Sequence, residues 1–139
     1  MQKAKINSDT IFGGTIHRYT RTQALADGVL IDTTDTAREA GFRVPVALTA
    51  DAWNMAVGWA DADSARQIEQ DEAGRLWDVL WMAYVAAQRA ADSCRVAFQL
   101  HVVPRDGAST QSRAMTLHVH IGPGDEGEPV ITVMSPAED

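Results

Sequence analysis

The chain has 139 residues, a formal net charge of −7, 45% hydrophobic residues and 22% charged ones. That length suits one domain burying roughly two-thirds of its extended surface, and the composition is that of a globular protein rather than a disordered one. The acidic balance excludes unaided binding to the phosphates of DNA or RNA, which demand clustered Lys and Arg, and a single cysteine, Cys94, excludes an internal disulfide.

The opening MQKAKINSDT is polar, so residues 1–10 are expected to be flexible and to lack the apolar run of a secretory leader. With a lone thiol and no apolar stretch longer than residues 79–87, the expectation is a cytoplasmic protein without a membrane span. Thr20 and Gln23 have capping-box spacing, and Gly28 supplies a left-handed stop, so the pattern predicts a short helix over Arg21–Asp27. The grammar repeats in TTDTAREAGF, with hydroxyls and an acid at its start and Gly41 then Phe42 as stop and latch. VLID and RVPVALT read as brief extended segments. Pro45 suits a sheet edge, where a missing N–H costs least. Thr49 caps a helix over ADAWNMAVGW, with Asp51 favouring its dipole.

Residues 60–74 have poor apolar periodicity and read as a loop or a loose helical turn, although Ser64 and Gln67 again have box spacing. Residues 74–92 are the best-defined element. Leu76, Leu80, Ala83 and Ala87 form one stripe, Trp77, Trp81 and Tyr84 lie beside it, and Val79 and Met82 widen the arc. So broad an apolar surface predicts a central helix buried on more than one side. Cys94, at the end of that helix, reads as a small buried residue. After residue 92 the period becomes two. Val96, Phe98, Leu100 and Val102 share one face of a strand, Met115, Leu117, Val119 and Ile121 share one face of the next, and PVITVM is a third. The expected fold is therefore α+β: one domain over residues 1–139, with several short N-terminal helices and one long central helix packed on a mostly antiparallel C-terminal sheet.

Four groups carry potential chemistry. His118 and His120 point to the same polar face. If the hairpin folds about Gly107 and Ala108, His101 is expected diagonal to His118, within roughly 7 Å at Cβ, and the three imidazoles form a candidate metal site, weighed against the polar residues any exposed sheet face needs. The loop GPGDEGEP sets Asp125, Glu126 and Glu128 among three glycines. It has neither EF-hand spacing nor the Lys and Ser/Thr of a P-loop, and glycine freedom with Pro123 suits a rigid turn. A plain turn, however, does not need three crowded acids. His17, Arg18 and Arg21, with Tyr19 among them, place positive charge at a helix start, which is mildly unfavourable and hints at an outside reason. Trp77 and Trp81 read as core, whereas Trp53 and Trp59 are the surface candidates. No cofactor motif is present, and none is expected.

The blocks IFGGTIHRYTRTQALADGVLIDTTDTAREAGFRVPVALT, GRLWDVLWM and GPGDEGEPVITVMSPAED together resemble an uncharacterised family of small bacterial proteins frequently encoded on plasmids and other mobile elements. The resemblance runs from about Ile11 to the C-terminus. The matching positions are Tyr19, Thr20, Arg21, Asp27, Gly28, Trp77, Asp78, Trp81, Gly124, Asp125, Gly127 and Glu128; the histidines are not part of the pattern. The resemblance implies an accessory role on mobile DNA, against host defence or in plasmid maintenance. The leading expectation is a non-enzymatic protein-interaction domain that meets a host or plasmid-encoded protein through the 122–128 loop and the Tyr19–Arg21 corner. The loop is expected to project stiffly into solvent, and the oligomeric state is left open, a homodimer included. The rivals are a small hydrolase or transferase, with Asp125 or Glu128 as acid/base and Arg21 holding an anion, and the histidine metal site.

Overall fold

The computed structural model describes residues 19–90 and 92–138; residues 1–10, His17 and Arg18, singled out above, lie outside them. Five helices and five strands follow in the order α1 (Arg21–Asp27), β1 (Leu30–Asp32), α2 (Thr34–Ala40), β2 (Val46–Thr49), α3 (Ala50–Ala56), α4 (Asp61–Arg66), α5 (Glu72–Arg89), β3 (Arg95–Val102), β4 (Arg113–Pro123) and β5 (Pro129–Met134) among the described residues. The strands form one sheet in the order β1-β2-β5-β4-β3. β3, β4 and β5 are the antiparallel meander expected from their short links. β5 then runs parallel to β2, and β1 closes the far edge antiparallel to β2. The α+β class stands, but two N-terminal strands also enter the sheet. Their crossover through α3, α4 and α5 brings both halves of the chain around one core.

Strand alternation sorts the sheet into two faces. Phe98, Leu100, Leu117, Val119, Ile131, Val133, Val46 and Leu48 share the core face, which α2, α3 and α5 cover. Each fully buried leucine there (Leu48, Leu80, Leu117) contributes about 1.5–3 kcal/mol. The second face carries Thr116, His118, His120 and Thr132, and α1 lies against β1 beside it. Pro45 is not at a sheet edge. It precedes the first residue of an interior strand, needs no ladder N–H there, and its carbonyl accepts from Ile131 N–H at 2.9 Å.

The helix ends follow local chemistry. α1 has the full capping box of Thr20 and Gln23, with Gly28 left-handed at φ 79°. In α2 the starting cap comes from one residue earlier than the threonines: Asp32 accepts from Thr34 N–H at 3.0 Å and from its hydroxyl at 2.6 Å. The stop and latch form as expected, since Gly41 sits at φ 125° and the buried Phe42 meets Tyr84 edge-on at 5.4 Å. Thr49 caps α3 through Ala52 N–H at 3.1 Å.

Of the two readings of residues 60–74, residues 61–66 take the helical one, because Asp63 reaches back to Ala60 N–H at 2.9 Å; Ser64 instead accepts from the indole N–H of Trp59. Three expectations are corrected. α5 starts two residues earlier than its apolar pattern, where Asp71 accepts from Gly74 N–H at 3.1 Å. The tryptophans are inverted: Trp59 is buried and Trp53 half-buried, while Trp77 and Trp81 are 38% and 45% exposed. α5 therefore has one open side, because the sheet and α2 cover only the faces bearing Val79, Leu80 and Ala83. Cys94 is exposed rather than buried, at the junction between α5 and β3.

Two measurements probe this framework. A Cβ at Gly41 would sit 2.7 Å from the Tyr84 ring, whereas one at Gly28 would meet nothing within 4 Å. Both positions have positive φ, so Gly28→Ala is expected to cost about 1–2 kcal/mol by urea denaturation and Gly41→Ala distinctly more, about 2–4 kcal/mol. In the β3–β4 loop the Ser109 hydroxyl, the Ser109 amide and the Ala108 amide hold the Asp106 carboxyl at about 2. That lies below the unfolded value, so its stabilisation is complete above about pH 4 and lost as pH falls through about 2. Asp106→Asn is expected to flatten the fall in melting temperature over that acid window relative to wild type.

Candidate functional site

The site grows from the β4–β5 turn. Pro123 pairs with Pro129, Gly124 N–H donates to the Glu128 carbonyl at 2.6 Å, and Gly127 N–H donates to the Gly124 carbonyl at 3.1 Å. The loop is thus Asp125, Glu126 and Gly127, ending on a left-handed residue (Gly127, φ 84°), the three-residue hairpin solution that keeps strand twist. The Glu128 carboxylate accepts from Glu126 N–H at 2.9 Å and lies over Gly124, where a Cβ would be 2.5 Å from its Cδ. Glycine at position 124 is therefore what lets Glu128 fold back over the turn.

Asp125 turns the other way, onto the start of α1. Its oxygens accept from Arg21 N–H at 2.7 Å, Thr22 N–H at 3.0 Å and the Thr22 hydroxyl at 2.8 Å. Thr20 takes the next amide, that of Gln23, at 3.0 Å. Three first-turn donors that the helix cannot satisfy itself are thereby satisfied, and a negative charge faces the positive end of the helix dipole. Residues 125–129 are exposed, but the loop is also tethered through one side chain, because α1 begins with unpaired N–H groups and Asp125 is the carboxylate within reach.

Arg21 points from the same turn onto the sheet. One guanidinium nitrogen donates to the Thr132 hydroxyl at 2.8 Å and the other to the Ile131 carbonyl at 2.9 Å. Burial lowers its pKa against the opposing pull of Asp125, Asp32 and Glu128; an arginine remains charged through such a shift. The outside reason sought for a cation at a helix start is thus internal. Tyr19 lies at the rim, 57% exposed, with its hydroxyl donating to Asp27 at 2.8 Å, a bond that raises its pKa. Glu126 is exposed, and among the described residues no hydrogen bond or ion pair reaches its carboxylate.

The histidines are not brought together. The hairpin does centre on Gly107 and Ala108, but that register pairs His101 with Ala114 and His118 with Ala97. His101 is then four residues, roughly 13 Å, along the strand from the level of His118, not diagonal to it. The His118 Nδ1 accepts from the Arg95 guanidinium at 3.1 Å, a cation where a metal ligand would need its lone pair. Among the described residues no group of three or more His, Cys, Asp or Glu side chains is placed to hold a metal ion.

A second polar cluster escaped the sequence reading. Arg75 is buried on α5, donating to the Val57 carbonyl and the Val103 carbonyl, both at 2.9 Å, with its guanidinium 4.6 Å from the Trp59 ring centroid. Beside it the buried Asp63 meets Arg105 at 2.7 Å and Arg66 at 3.5 Å. Burial pushes the Asp63 carboxyl up; the Ala60 amide, Arg105 and Arg66 overcome that and hold it below the usual range. These contacts tie α3, α4 and α5 to the β3–β4 loop. An arginine at the margin of an apolar stripe was the available signal.

Residues 9–139 match the family of unknown function DUF6573, and the chain belongs to that family. No curated protein and no solved structure matches it. No helix among the described residues is long and apolar enough to cross a membrane.

The docked geometry separates the acids of the loop by function. Asp125→Ala is expected to destabilise the protein by about 1–2 kcal/mol through loss of a helix cap, and Glu126→Ala by less than about 0.5 kcal/mol. Thermal and urea unfolding of the two variants measure the difference.

Proposed function

We propose that the protein is a non-enzymatic interaction domain, carried by a mobile genetic element and acting on a host or plasmid-encoded protein, against host defence or in plasmid maintenance. The observation that carries this reading is how the corner's reactive groups are employed. Asp125 caps α1, Glu128 closes its own turn, and Arg21 donates to β5. What stands outward is Glu126, an acid with no partner in the corner, and the face of Tyr19, an aromatic of the kind that anchors a partner. The mobile-element setting rests on the family resemblance of the sequence blocks.

The hydrolase or transferase reading keeps one support, the meeting of Arg21 with Asp125 in a single corner. Catalysis, though, needs an acid or base with a lone pair or proton directed at substrate. The contacts that bring these groups together are also the contacts that occupy them.

Affinity capture from host lysate tests the proposal, with wild type, Glu126→Lys and Tyr19→Ala as baits of equal stability. A defined protein is expected at stoichiometric yield on the wild type, weakened about tenfold or more by either substitution, which is about 1.4 kcal/mol of binding. Equal recovery on all three baits contradicts the proposed surface.

A further inference from the structure

The open side of α5 carries an aromatic ladder. Trp77 stacks on Trp81 with ring centroids 6.3 Å apart and planes at 10°, and Trp81 stacks on Tyr84 at 6.0 Å and 27°. The ladder runs out into an open groove of about 560 Å³, floored by Phe42, Ile121 and Ile131, with Arg43 at its margin. Two stacked tryptophans exposed by 38% and 45%, continued by Tyr84, form one aromatic strip. Such strips on soluble proteins mark contact surfaces rather than accidents of composition.

The charge pattern along the strip identifies what covers it. The end at the start of α5 is acidic, with Glu69, Asp71 and Asp78 beside Trp77, while Arg43 lies beside Tyr84 at the other end. A surface with acid at one end, base at the other and aromatics between is complementary to itself turned through a two-fold axis. At 100° per residue, an axis through Trp81 sets Trp81 against its own copy, Trp77 against Val85 of the second copy, and the Asp71–Asp78 flank towards Arg43 of the second copy. Gly74 lies on the same side of α5 and permits close approach. The two helix dipoles oppose, which is favourable. An 18-residue helix is about 27 Å long. A strip of that length buries on the order of 1,000 Å² in total between two copies, the threshold for a specific interface.

We propose that α5 is the contact helix of a homodimer, with a second copy of this chain laid antiparallel across the Trp77–Trp81–Tyr84 ladder about a two-fold axis at Trp81. The corner of Tyr19, Arg21 and Glu126 is on other elements and is not part of this contact.

Sedimentation equilibrium over a wide concentration range tests the dimer with full-length protein. Wild type is expected to show twice the chain mass at high concentration. Trp81→Glu is expected to show the single-chain mass with unchanged circular dichroism and melting temperature at low concentration. Arg43→Glu, which leaves the ladder intact, is expected to weaken association about tenfold, and added salt to weaken wild type in the same direction. Leu25→Glu, an exposed apolar residue of α1, serves as the control and leaves association unchanged. A wild type that stays at single-chain mass up to about 1 mM overturns the proposal. So does a dimer that persists in both Trp81→Glu and Arg43→Glu, or one that Leu25→Glu dissociates.

Discussion

The Asp125 carboxylate connects the last hairpin of the chain to its first described helix, 104 residues away in sequence. α1 is seven residues long, too short to hold itself together in water, and it buries only Ala24. What keeps it in place is its capping: Thr20 from its own chain, Asp125 from the β4–β5 turn, and Arg21 pinned to β5. The contact works in both directions. The hairpin tip, already closed by its own hydrogen bonds, is in addition fixed against α1 as a helix cap. The order of the outward residues, Tyr19 and Glu126, depends on that shared constraint.

The two faces of the sheet are used differently. The core face is closed by α2, α3 and α5 around Leu48, Leu80 and Leu117, and it is tied at one end by the buried Arg75 and Asp63. The polar face carries α1 at one edge and the histidine-bearing strand β4 towards the other. α5 separates its roles by side: aliphatic residues face the sheet, and the aromatics face outward. The molecule therefore has two distinct candidate contact regions, the polar corner at the hairpin and the aromatic strip, built on different elements.

Local grammar made most of the fold legible in the sequence. Thr20 with Gln23, Gly28, Gly41 with Phe42, and Thr49 are where hydroxyl caps and left-handed glycines predict them, because those devices act within a few residues. The period-two strands were clear for the same reason. What local pattern does not carry is partnership across the chain. Asp125 looked like surplus charge because its partner is the N-terminus of a helix over a hundred residues earlier. The tryptophans were misplaced because a wide apolar arc says how much of a helix is greasy, not how many neighbours arrive to cover it. His101 falls away from His118 even though the hairpin centre is where the sequence puts it, because that register sets His101 opposite Ala114, four residues along the strand from the level of His118. Arg75 was passed over because nothing nearby in sequence reveals that the carbonyls of Val57 and Val103 would converge on it.

The central claim, that Asp125 docks the hairpin by capping α1, is tested most directly by amide hydrogen exchange at Arg21 and Thr22. The account predicts slow exchange at both amides in wild type and fast exchange in Asp125→Ala, with the amides of β3, β4 and β5 unaltered. Exchange at Arg21 and Thr22 that is already fast in wild type, or equally slow in the variant, would contradict it.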